Sequence, residues 1–129
     1  MLVLLGALGV LIYTLAVPVT EKFTEFYLLG PDGKASDYPT TLSVGEEGTV
    51  IVGIVNREEG AMTYRVEVNI DGETENSQGP LSLVPGEKWE KTVAFSPGKA
   101  GDRQKIEFLL FTEGQSEVYR EVHLWVDVR

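Results

Sequence analysis

The chain has no cysteine and one histidine in 129 residues. The first absence excludes a disulfide framework, a thiolate metal site and a cysteine nucleophile together, and leaves the redox compartment open. The second removes nitrogen ligation of a metal by several imidazoles and most base-assisted nucleophilic chemistry, because His123 stands alone in the alternating stretch "EVHLWVDV". Two further things are missing. No Asn is followed two residues later by Ser or Thr, so the N-glycan acceptor rule is unmet. After residue 20 no segment carries the 3.6-residue apolar period of an amphipathic helix.

Charge is absent from one region altogether. Met1 to Thr20, "MLVLLGALGVLIYTLAVPVT", holds no Asp, Glu, Lys or Arg. About twenty helical residues span about 30 Å, the thickness of a bilayer's hydrocarbon core, so residues 1–20 are read as a transmembrane anchor that contacts membrane lipid. The rival is a cleaved secretory signal, but no Lys or Arg precedes Lys22 and "LAVPVT" lacks the small-x-small cleavage pattern. A buried helix of a soluble core would carry polar residues on one face, and this segment has none. The flanking charges do not set the orientation.

All 20 acidic and 11 basic residues therefore fall after Thr20, and the net charge of −9 belongs to the remainder. Such a balance argues against nucleic acid as a partner and makes the domain stand off anionic headgroups. The 43% apolar content is enough for one packed domain over residues 21–129.

What is present reads as strands and turns. "EKFTEFYLL" has strand propensity and stops at "GPDGKASDYP", a turn cluster that lacks the spacing of a phosphate-binding loop. "TLSV" and "TVIVGIVN" flank the turn "GEEG" and are expected to form an early core hairpin. The second of them is apolar on both faces, as a central strand is, and Gly53 marks a bulge or a close approach of another backbone. In "MTYRVEVNI" Tyr64, Val66, Val68 and Ile70 alternate with polar residues, so one face is core. "DGETENSQGP" is expected as a turn with a short polar strand, followed by a separate short strand "LSLV", a Pro85–Gly86 turn and a strand with Trp89, Val93 and Phe95. "RQKIEFLLFT" and "SEVYREVHLWVDVR" form a final hairpin through a tight "EGQ" connection.

About seven short strands with turn signals every eight to twelve residues predict an all-β fold, an immunoglobulin-like antiparallel β-sandwich after one N-terminal transmembrane helix. The run Asp37 to Glu58, with "DYP", "VGEEGTV" and "VGIVN", together with "GEKWEKTVAF" and "QKIEFLLF", resembles an archaeal membrane-associated family, domain of unknown function 1616. The resemblance implies an extracytoplasmic sandwich on a cell membrane, with no established activity. Longer members of that family place several membrane helices ahead of the sandwich, whereas this chain has one apolar segment.

Catalytic, metal and cofactor sites are not expected. Nucleophile, base and orienting group do not occur together, and the carboxylates of the turns lack calcium-loop spacing. One cluster remains. If the last two strands pair with Ile106, Phe108 and Leu110 against Val122, Leu124 and Val126 in the core, then Leu109, Phe111, His123 and Trp125 share the opposite face as an outward apolar patch. Such a patch marks an interaction face for a protein or cell-surface partner, unless a strand, loop or bulge covers it. The expected function is a single-pass, membrane-anchored structural or binding module, not an enzyme, with an accessory subunit of a larger membrane complex as the alternative.

Overall fold

The computed structural model describes residues 22–129, so the anchor expected over residues 1–20 lies outside the described residues. Among the described residues every regular element is a strand: β1 (Phe23–Leu29), β2 (Thr41–Leu42), β3 (Gly48–Arg57), β4 (Met62–Ile70), β5 (Glu73–Leu83), β6 (Lys88–Phe95), β7 (Gly101–Thr112) and β8 (Arg120–Val128). They form two sheets, β1-β3-β6 and β2-β8-β7-β4-β5, whose inner faces make one core. The all-β sandwich expected from the strand spacing is present, with eight strands.

Burial follows the period of two. Val50, Val52 and Ile54 of β3 face Val66, Val68, Ile106 and Phe108 of the larger sheet, all fully buried. Phe95 and Phe108 meet edge to face at 6.3 Å between centroids, the geometry aromatic quadrupoles favour. Strand β3 is the middle strand of its sheet, which explains why its sequence is apolar on both faces.

Four local expectations are corrected. First, "TLSV" and "TVIVGIVN" do not form a hairpin, because β2 pairs in parallel with β8 in the opposite sheet, Thr41 beside Asp127 and Leu42 beside Val128. Amide–carbonyl bonds from Arg129 to Leu42 and from Val44 to Arg129 hold it there, and a turn at Gly45, φ +81°, carries the chain across to β3. Second, the polar run after Asp71 and "LSL" are one eleven-residue strand, β5, which passes through a cis Gly79–Pro80 bond and absorbs register shifts against β4. As a sheet edge, β5 can admit a proline that a central strand would exclude. Third, the turn at Glu113–Gln115 exists, but β8 starts only at Arg120, leaving Ser116 to Tyr119 outside the strand. Fourth, Gly53 accommodates a side chain and not a backbone. A Cβ there would lie 2.1 Å from Cζ of Tyr27, whose ring crosses Gly53 from the neighbouring β1 position and whose hydroxyl donates to Glu90 of β6, paired with Gly53 on the other side.

Candidate functional site

The β7–β8 register pairs Ile106 with Leu124 and Phe108 with Val122, which sends Leu109, Phe111, His123 and Trp125 to the outer face as their parity requires. The structure then divides them. Leu109 and Phe111 are 8% and 6% exposed, because β4 sets Glu67 beside Leu109 and Arg65 beside Phe111. The Arg65 guanidinium lies 4.4 Å from the Phe111 ring centroid and is held by Glu67 at 3.0 Å, so a charged pair with an apolar stem roofs both residues. The continuous outward patch is therefore absent, since its β7 half is covered.

The β8 half is not. Trp125 is 44% exposed, and His123 meets it edge to face at 5.6 Å. Its cross-strand neighbours are polar: Lys105 stands opposite Trp125 and Glu107 opposite His123. Arg103 is brought over the indole at 4.7 Å by a bulge in β7 between Gly101 and Gln104, where Arg103 itself takes φ +53° and donates its amide to Asp127 at 2.8 Å. Left-handed backbone at a β-bulge re-aims a side chain in this way.

On the other side of β8 an open cleft of about 540 Å³ runs between β8 and β1. Val122 and Leu124, Phe26 and Leu28, and Tyr38 with Pro39 line it, His123 and Trp125 form its rim, and among the described residues no carboxylate or ammonium group lines it. Tyr38 donates its hydroxyl to the Leu28 carbonyl at 3.0 Å, tying the segment before β2 to the outer edge of β1. The backbone of β8 also faces this opening. The amides of Asp127 and Arg129 donate to Thr40 and Leu42, so in a period-two strand the N–H and C=O groups of Trp125, His123 and Glu121 point the same way, where no strand pairs them among the described residues.

A second polar constellation closes the end of the sandwich at which β1 begins. Thr24 and Tyr119 both donate to Glu58 Oε2, the first at 2.8 Å. With its one proton committed, the Thr24 hydroxyl must accept from Tyr64 at 2.7 Å, giving a chain of donors from Tyr64 through Thr24 to Glu58. The hydrogen bond to Glu58, reinforced by burial, pushes the Tyr119 phenol above its ordinary value of 10, and burial does the same for Tyr64. These are proton-holding hydroxyls around a carboxylate acceptor, an arrangement suited to tying strands together. Among the described residues no three His, Asp or Glu side chains converge as metal ligands do.

The cleft contains residues that sequence reasoning did not single out. In the sequence Phe26 and Leu28 show only strand propensity, and Tyr38 stands at the end of a turn cluster, held extended by Pro39. An aromatic residue between Asp37 and Pro39, in an otherwise polar loop, was the available signal for Tyr38. Arg103 gave none.

A family model for a domain of unknown function, DUF1616, matches residues 18–127. Among solved structures, the CARDB domain of the PF1109 protein from Pyrococcus furiosus, crystallised in complex with di-metal ions, superposes with a TM-score of 0.60 at 18% identity over 85% of this chain and 97% of that one. Its solution structure gives the same TM-score at 17% identity, over 84% of this chain and 97% of that one. The alkylpurine DNA glycosylase AlkC of Pseudomonas fluorescens, bound to DNA with an abasic site analogue, matches with a TM-score of 0.50 and 12% identity, over 81% of this chain and 30% of that one. At these identities the likeness is one of fold. No curated protein matches the chain.

Proposed function

We propose, from the premise that the chain belongs to the DUF1616 family, that its sandwich is an extracytoplasmic binding module held at a cell membrane by residues 1–20, with the β1–β8 cleft as its contact site. One observation carries the reading: an uncharged apolar opening with a half-exposed tryptophan on its rim, on a chain of net charge −9. Charged surface keeps a domain soluble, and apolar surface left open beside it gains free energy only when a partner covers it. The uncharged first twenty residues support the anchoring. No catalytic, cofactor or metal role belongs to this reading, and nucleic acid is not its partner.

Fractionation tests the placement. The full chain should pellet with membranes and resist carbonate extraction, and a chain starting at Glu21 should not. Recovery of the full chain in the soluble fraction, with a new N-terminus near residue 20, would replace the anchor with a cleaved signal.

A second reading, an accessory subunit docked on a larger membrane complex, is favoured by one feature. The cleft is walled by β1, the strand that directly follows the apolar segment, so a neighbour embedded in the same membrane lies within reach. Photo-crosslinking from position 125 in native membranes separates the two: a membrane-embedded product supports the accessory subunit, and a secreted or surface product supports an external partner.

A further inference from the structure

Sheet edges expose rows of unpaired backbone groups, and proteins blunt them with charge, proline or shortness. Three of the outer strands follow that rule, and the fourth, β1, has its Leu28 carbonyl taken by the Tyr38 hydroxyl. Strand β6 carries Lys88, Glu90 and Lys91, strand β5 is largely polar and contains Pro80, and β2 is two residues long. The β8 edge beyond β2 does not. From Val122 to Trp125 its outer side has no paired strand among the described residues, no proline and no carboxylate or ammonium side chain, and the outward backbone groups of His123 and Trp125 open onto the apolar cleft.

We infer that this edge takes up an extended polypeptide segment as an added strand, with its alternate apolar side chains seated on Val122, Leu124 and Phe26. Two demands coincide at one place. The edge needs N–H and C=O partners at the strand repeat of about 6.6 Å per two residues, and the cleft floor beside it needs apolar groups at that same repeat. An extended chain with every second side chain apolar meets both. A saccharide or a lipid chain meets only one.

Charge indicates what flanks that segment. Neither Arg103 nor Arg120 forms an ion pair among the described residues, whereas Arg57, Arg65 and Arg129 each do. Instead Arg120 stacks on Tyr119 at 4.4 Å and Arg103 on Trp125 at 4.7 Å, one at each end of the open edge. On a strongly acidic chain, two guanidinium groups that no carboxylate pairs among the described residues frame an uncharged cleft and complement a segment with a carboxylate on either side of its apolar core. The inference rests on the cleft being the contact site, and it names the partner class of that site.

The test uses the full chain in detergent micelles and an acetylated, amidated peptide, Glu-Val-Thr-Val-Thr-Val-Glu. A second version is N-methylated on the alternate amides that would face β8, and a third carries Lys in place of both Glu. The first peptide should slow amide hydrogen exchange at His123 and Trp125 by about tenfold or more at saturation. N-methylation should weaken binding by about tenfold or more, since it removes the edge hydrogen bonds and leaves the side chains intact. The Lys version should bind more weakly than the Glu version, and Arg103→Gln, an exposed change outside the core, should narrow that difference.

Equal binding of the N-methylated peptide, or binding without protection of His123 and Trp125, would overturn strand addition. So would a dimer of the chain, seen by sedimentation, that the peptide does not dissociate, because the edge would then belong to a second copy. A partner crosslinked from position 125 without any such protection would retain the contact site while removing this mode of binding. The absence of both would remove the site itself.

Discussion

The outer faces of the two sheets handle exposed aromatic and apolar groups in opposite ways. On the three-stranded sheet the Tyr27 ring is laid across Gly53 and fastened to Glu90, so the aromatic fills the space that a glycine leaves. On the five-stranded sheet Arg65 is laid over Phe111, and two strands away Trp125 is left open under a guanidinium. Parity places a side chain on a face, but what the adjacent strand puts beside it decides whether it is covered. Phe111 and Trp125 have the same parity and the same sheet, and different neighbours.

The widest gap should appear between those two residues. Phe111→Ala should destabilise the protein by about 3 to 5 kcal/mol, as removal of a buried aromatic does, while Trp125→Ala should cost within about 1 kcal/mol. Thermal or denaturant unfolding of the full chain measures both, and equal losses would erase the distinction between the covered and the open half.

A smaller effect probes the cover on the other sheet. Gly53→Ala should cost about 1 to 3 kcal/mol by displacing the Tyr27 ring, and much less when Tyr27 is already Ala. Additive losses in that double-mutant cycle would mean that the ring and the glycine are not partners.

The smallest signal comes from the hydroxyl cluster. Because the folded state holds the Tyr119 and Tyr64 protons more tightly than the unfolded chain, their contribution is complete below pH 10 and is lost as pH rises from there through the raised folded values. Unfolding curves over that alkaline interval should slope downward, and Tyr119→Phe should flatten the slope. An unchanged slope would show that Tyr119 does not titrate differently on folding.

The repeating patterns were legible in the sequence. Alternation in β4 and two-sided apolarity in β3 report local constraints and mark their elements, whereas the turn glycines do so unevenly: the turn at Gly45 joins no hairpin and Gly79 lies inside β5. Leu109, Phe111, His123 and Trp125 were placed on the correct face for the same reason. The burial of the first two was not legible, because Arg65 reaches Phe111 only through a register set between strands remote in sequence. The partner of β2 was hidden for the same reason, since two residues carry no periodicity. The continuity of β5 is not legible either, as Gly79 and Pro80 imitate a turn and an edge position that tolerates proline is defined by the sheet and not by the strand. The cleft is harder still, as its walls come from β1, β8 and the segment before β2 and from no single stretch.

The parallel β2–β8 ladder also bears on the order of folding. Thr41 must find Asp127, and Leu42 must find Val128, across nearly the whole length of the sandwich's chain. Closing so large a loop is entropically costly and returns only two rungs, so this ladder is expected to form late, after the local β4–β5 and β7–β8 pairings have built most of the larger sheet. Until it closes, β8 is bare along its full outer edge, and Leu42 is outside the core that later buries it. The nascent protein therefore passes through a stage more prone to edge-to-edge self-association than its finished form. The short β2 strand acts as the latch that ends that stage.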